Sequence, residues 1–277
     1  MNMRTDLIDY YAARATCEKH LYILTADLGY GLFRDKWSDH PYVTLLNVGI
    51  AEQNMLGVAA GLALRGARVL CYSMASFITL RAAEQLCIDI CADKRDVILM
   101  GAASGITNDV EGFTHHATGD IAILSTFPHI KILSPYDQHG LLDALADLGE
   151  NHGPVYVRFG PEIQSENHVQ RSKGGLGLPC ILRSGNQVLL LAHGSMVQCA
   201  SQVADLLEKY QVSCSVASCA WLEPFDYGYV MDLVQRHALS VVIEEHSEIG
   251  GLASRVAMCV ARSPNCKMFL PFCIPSQ

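Results

Sequence analysis

Short apolar, β-rich runs alternate with longer segments of helical period along almost the whole chain, and that rhythm limits the folds open to it. LYILTA (21–26), YVTLLNV (42–48), ARVLCYSM (67–74), DVILMGA (96–102), IKILS (130–134) and PVYVRF (154–159) read as strands, with helical partners near 51–65, 75–93 and 137–150. Strands separated by helices predict a mostly parallel sheet with helices on both faces. After Phe159 the pattern lapses into the polar, glycine-rich GPEIQSENHVQRSKGGLGLP, which predicts a linker. The alternation then resumes with QVLLLA (187–192), a helix from about Ser195, VSCSVAS (212–218), a helix near 226–237, LSVVIEE (239–245) and a helix opening at Gly250–Gly251. The expected fold is therefore α/β in two domains, 1–165 and 186–277, each a mostly parallel sheet flanked by helices, joined by a linker at 166–185.

Composition narrows the function classes. Half of the 277 residues are apolar and 17% are charged, which suits compact domains with real cores. A net charge of −8 offers no basic stripe for phosphate backbones, so a nucleic-acid partner is not expected. No apolar run approaches the ~20 residues that span a bilayer. The N-terminal MNMRTDLIDYYAARATCEKH carries Asp6, Asp9 and Glu18, unlike a targeting peptide, so the expected location is the cytoplasm. The eleven cysteines form no C-x-x-C pair and read as reduced thiols.

One acidic residue stands out. In NVGIAEQNMLGVAAGLALRG (47–66), Glu52 opens a helix that is otherwise small and apolar. A carboxylate in the first turn complements the helix dipole by ~0.3–1 kcal/mol, which is one sufficient reason for it. Its surroundings supply another. G-I-A-E-Q-N-M-x-G-x-A-x-G-L-A-x-x-G resembles the pyrimidine-binding domain of transketolases, above all the short chain of split transketolases. The likeness continues in order through Ala26-Asp27-Leu28, Phe77 with Arg81-Ala82 and Glu84-Gln85, Thr114-His115-His116, Asp120-Ile121-Ala122 and Phe127-Pro128-His129-Ile130. EEHSEIGGLASRVA (244–257) resembles a segment of the family's third domain.

The resemblance implies thiamine diphosphate as cofactor, with Glu52 hydrogen-bonding the aminopyrimidine and so promoting proton loss from the thiazolium carbon. For that role an apolar surround that raises the carboxyl pKa would help. It also implies cofactor contacts for Asp27, Gly49, Ile50, Phe77 and Arg81, although Phe77 equally suits plain core packing and Asp27 a turn cap. Leu80 and Ala83 stand where full-length transketolases carry two further aromatics. On the substrate side it implies a proton-shuttling or hydroxyl-reading role for His115, with His116, Glu111 and Asp120 beside it, and a terminal-phosphate clamp by Arg4 and Arg158. Gly31 and Ala103 depart from the family's serine and histidine there, which points to retained cofactor chemistry with altered substrate.

The family's diphosphate and Mg²⁺ site carries G-D-G, and the chain's one G-D is followed by Ile121. No metal ligand is therefore expected in this chain. Mg²⁺ is expected on a separate G-D-G subunit, in an α₂β₂ assembly, with a sugar or sugar phosphate as substrate. The resemblance implies transfer of a two-carbon ketol unit. A pyruvate-using synthase, the β chain of a 2-oxoacid dehydrogenase and a non-catalytic scaffold subunit remain the alternatives.

Overall fold

A computed structural model describes residues 2–150, 153–161, 174–263 and 267–275. The chain forms two compact units. Met1–Ile132 with Leu148–Phe159 make the first, and Leu133–Asp147 with Gly160–Gln277 the second. Residues 133–147 group with the second unit, where Tyr136 joins its core.

The first unit is built on strands β1 (Leu21–Thr25), β2 (Val43–Asn47), β3 (Arg68–Met74), β4 (Val97–Ala102), β5 (Lys131–Leu133) and β6 (Val155–Arg158), ordered β5-β6-β4-β3-β1-β2. The β2–β1, β1–β3, β3–β4 and β4–β6 pairs are parallel. Central β4, VILMGA, is buried throughout, as a strand covered on both faces must be. Helix Glu52–Leu64 buries Met55, Leu56 and Ala59, one side of a helix at i, i+1 and i+4. The helix expected over 75–93 is not continuous. It divides into π-helical Phe77–Arg81, a single turn at Ala83–Gln85 and π-helical Leu86–Cys91. Wider i→i+5 turns of this kind shift which side chains share a face. An N-terminal helix, Met3–Ala12, is capped by the Asn2 side chain, which accepts from the Arg4 N–H.

The second unit carries β7 (Cys180–Arg183), β8 (Val188–Ala192), β9 (Cys214–Ser218), short β10 (Trp221–Glu223), β11 (Leu239–Ser247) and β12 (Met268–Ile274). Its five-stranded sheet runs β12-β11-β8-β9-β7, parallel except for β7 against β9. β7 lies inside the linker expected at 166–185, because the short apolar run CILR adds an edge strand by antiparallel pairing. Most of that linker lies outside the described residues. Leu182, Leu190, Ala192, Val197, Ala200 and Val216 form the core between the sheet and helix Met196–Glu208. The ten described cysteines are free thiols, and burial pushes Cys91 up to about 12. Among the described residues no helix is long and apolar enough to cross a membrane.

Candidate functional site

In open parallel sheets, ligands bind beyond the carboxyl ends of the strands. Those ends in the first unit bring together Asp27 after β1, Asn47 on β2, Ser73 on β3 and the 103–117 loop after β4. Helix Glu52–Leu64 begins at the same edge, after a turn in which Gly49 has φ +76 and its carbonyl accepts from the Ala51 N–H at 2.7 Å. A left-handed backbone of this kind suits glycine, which has no Cβ to clash. Ile50, at the apex, is 75% exposed.

Glu52 is only 1% exposed, and polar groups hold it. Ser73 Oγ donates to Oε1 at 2.7 Å, and Arg81 Nη1 donates to Oε2 at 2.6 Å. This corrects the expectation of an apolar surround: the carboxylate has a hydroxyl and a guanidinium as partners. The Arg81 guanidinium also stacks on the Phe77 ring, 4.1 Å from its centroid. Phe77 in turn meets His115 edge-on at 5.0 Å. His115 Nδ1 lies 3.0 Å from Thr114 Oγ1. Glu52, Arg81, Phe77 and His115 therefore form one chain of contacts drawn from three separate segments.

A second cluster fixes the β1–β2 edge. Asp27 has φ +67, uncommon for a residue with a side chain. The Asn47 carboxamide holds it there: Oδ1 accepts from the Asp27 N–H at 3.1 Å and the Gly49 N–H at 2.9 Å, and Nδ2 donates to Asp27 Oδ1 at 2.9 Å. The sequence pattern alone does not single out Asn47 or Ser73. An asparagine closing a strand immediately before V-G-I is the available signal for the first, and Ser73 gives none.

On the substrate side, Glu111 is exposed at the start of the tight turn Gly112–Thr114. His116 buries Nε2 without a hydrogen-bond partner among the described residues. Arg4 donates through Nη1 to the Tyr72 hydroxyl at 3.1 Å. Arg158 and Asp120 are paired with each other. Their side chains are 3% and 1% exposed, and Arg158 Nε donates to Asp120 Oδ2 at 2.8 Å. Among the described residues no group of three His, Cys, Asp or Glu side chains is placed to hold a metal ion.

In the second unit, Glu244 stands over the start of helix Leu252–Arg262. Its carboxylate accepts from the Leu252 and Ala253 N–H groups at 2.8 Å each and lies 3.2 Å from His193 Nε2. A Cβ on Gly251 would meet the same carboxylate at 2.5 Å, which explains the second glycine of G-G. The free N–H groups of this helix start, an anion site in principle, are already filled by this carboxylate.

A largely parallel sheet with a buried glutamate at its carboxyl edge, followed by a second α/β unit, defines a two-domain α/β protein, and comparison with known proteins gives the family. Residues 1–162 match the transketolase pyrimidine binding domain and residues 180–274 the transketolase C-terminal domain. The chain belongs to the transketolase family. It is 30% identical over 265 residues to the 6-deoxy-6-sulfo-D-fructose transketolase subunit SqwH of Clostridium sp. (strain MSTE9), covering 94% of this chain and 81% of that one. It is 27% identical over 265 residues to one of the subunits of the apulose-4-phosphate transketolase of Phocaeicola vulgatus, covering 94% and 84%. Among solved structures it resembles a split gene transketolase, described as an inactive beta4 tetramer, with a TM-score of 0.81 and 26% identity over 99% of this chain and 88% of that one. The chain is a transketolase-type subunit of a split transketolase, a transferase.

Proposed function

We propose that this subunit, joined to a separate chain that binds the diphosphate and Mg²⁺, transfers a two-carbon ketol unit from a ketose to an aldehyde or aldose with thiamine diphosphate as cofactor. The observation that carries the reading is Glu52: a carboxylate 1% exposed, at the carboxyl edge of a parallel sheet, joined through Arg81 to the half-buried ring of Phe77. A carboxyl suits hydrogen bonding to an aminopyrimidine nitrogen, and a flat apolar ring suits stacking on that heterocycle, so the residues present fit the group. When bound, the cofactor supplies a thiazolium carbon that acts as nucleophile towards the ketose carbonyl.

The chain's own residues then have definite tasks. Glu52 holds or shares a proton at the pyrimidine ring nitrogen, and Ser73 fixes the carboxylate's rotation. Asn47 sets the loop that presents Gly49 and Ile50 to the cofactor, with Asp27 in the same cluster. His115, beside Phe77, reads a sugar hydroxyl and moves a proton at it, with His116 and Glu111 on the same loop. Arg81 occupies one edge of the Glu52 carboxylate and one face of Phe77, so cofactor entry displaces or reorients it.

The need for a partner has support of its own. Ile50, Leu80, Val110 and Phe113 lie on the segments that build the site and are 75%, 51%, 90% and 83% exposed. Large apolar side chains left exposed on the segments of one site favour a surface that another protein covers. The likeness to a split gene transketolase described as an inactive beta4 tetramer supports the same reading, in which this chain is inactive by itself and acts within an α₂β₂ assembly. The substrate carries a terminal group read differently from that of ordinary pentose-phosphate transketolases, because Gly31 and Ala103 replace a serine and a histidine. The test is an assay of two-carbon transfer by the assembled enzyme. The reading requires turnover with the wild-type chain and a loss of roughly 10²-fold or more with Glu52→Gln, in line with losing an acid–base group. Unchanged turnover would leave a scaffold subunit in its place.

A further inference from the structure

Arg158 closes β6, and it is tied inward. Its Nε donates to Asp120 Oδ2 at 2.8 Å, and its Nη2 donates to the Ala117 carbonyl at 2.8 Å. The Tyr156 hydroxyl donates to the same Asp120 oxygen at 2.7 Å, and all three side chains are almost fully buried. Ala117 is the foot of the loop that carries Val110, Glu111, Phe113, His115 and His116. That foot is pinned a second time, since the Ala117 N–H donates to the Gly105 carbonyl at 2.8 Å in an isolated bridge that closes the loop. The other foot is held to β6's end by the Ser104 N–H, which donates to the Phe159 carbonyl at 3.0 Å.

From these contacts we infer that Arg158 is a positioning residue for the 105–117 loop, anchored by Asp120 and Tyr156. Nε and Nη2 are committed to a buried carboxylate and a backbone carbonyl, so turning the guanidinium outward would exchange both bonds at once. A buried carboxylate stripped of its cation is far costlier than an exposed one, so that exchange is disfavoured. A planar guanidinium with several donors can bridge a carboxylate and a carbonyl at once, which a lysine ammonium does less well. Arg158 thus ties the sheet edge to the loop and keeps His115 against Phe77. The inference rests on the transketolase reading only for its substrate arm.

Two readouts decide it. Hydrogen exchange on the full chain compares wild type with Arg158→Met and Tyr156→Phe, the second of which keeps the guanidinium and so tolerates folding better. Both variants are expected to speed exchange across 105–117 by roughly tenfold or more while β1, β3 and β8 stay protected, since local opening follows the loss of local hydrogen bonds. Loop exchange unchanged in Tyr156→Phe, or in both variants, overturns the anchor. In the assembled enzyme, Arg158→Met is expected to lower kcat/KM for a phosphorylated and an unphosphorylated acceptor by the same factor, mainly through kcat. A loss confined to KM for the phosphorylated acceptor overturns the inference and restores the phosphate clamp. If wild type shows no two-carbon transfer at all, the proposed function fails while the exchange result still decides the anchor.

Discussion

The Glu52 carboxylate accepts a 2.6 Å hydrogen bond from Arg81 Nη1, and the same guanidinium covers the face of Phe77 at 4.1 Å. One cation therefore holds the two groups proposed to receive the cofactor ring. Arg81 is 42% exposed, so water screens the pair, and its net worth is modest. Arg81→Met is expected to destabilise the chain by about 1 kcal/mol, with the loss largely absent when Glu52→Gln is already present. A thermal or denaturant double-mutant cycle checks it, and additive losses would mean that the two side chains are not coupled.

Ser73 reaches the other carboxylate oxygen from inside the sheet edge, and both side chains are about 1% exposed. Ser73→Ala leaves that oxygen short of a buried donor, at a cost of about 1–3 kcal/mol. The expected outcome is a lower Tm and a lower kcat in the assembled enzyme, with KM for sugars little changed. Steady-state kinetics alongside melting curves separate the two effects.

Asn47 supports the strained Asp27 backbone and the Gly49 turn with three hydrogen bonds. Asn47→Ala frees both. Cofactor affinity of the assembled enzyme should fall by about tenfold, equivalent to ~1.4 kcal/mol, while the protected core of the first unit keeps its hydrogen exchange. Titration calorimetry of the variant complex measures the first part.

Glu244 gives a pH prediction in the second unit. Burial by itself would raise its carboxyl, but the hydrogen bond and charge of His193, the Ala253 N–H and His246 outweigh it and hold the group at about 2. A carboxyl depressed below its unfolded value of 4.5 contributes stability that is fully present above pH 4.5 and drains away as pH falls towards 2. That contribution is on the order of 3 kcal/mol. Glu244→Gln should lower stability at pH 7 and flatten the acid limb between pH 4.5 and 2. Parallel acid limbs for the two proteins would contradict the assignment.

The sheets were legible because β4 and β8 are nearly continuous apolar runs and helix Met196–Glu208 has a clear apolar side. β7 was not, since four residues after a glycine-rich stretch give no period to read, and pairing against β9 decides them. The break of the 75–93 helix into π turns was also hidden, because side-chain pattern does not reveal a change from i→i+4 to i→i+5 bonding. At the site, Glu52 announced itself as a lone acid in an apolar helix. Its partner Ser73 did not, because a serine inside RVLCYSM looks like any outward strand position until the neighbouring helix is placed. The pairing of Arg158 with Asp120 is hidden for a related reason: 38 residues apart, one closes β6 and the other opens helix Asp120–Leu124, and only the fold brings them together.

The central claim is that this chain holds half of a thiamine diphosphate site, with Glu52 as its acid. The most direct measurement is titration calorimetry of thiamine diphosphate with Mg²⁺, first into this chain alone and then into its complex with a G-D-G chain. The account predicts tight binding only in the complex, weakened by Glu52→Gln. Tight binding to this chain alone, or none by a proven complex, would contradict it.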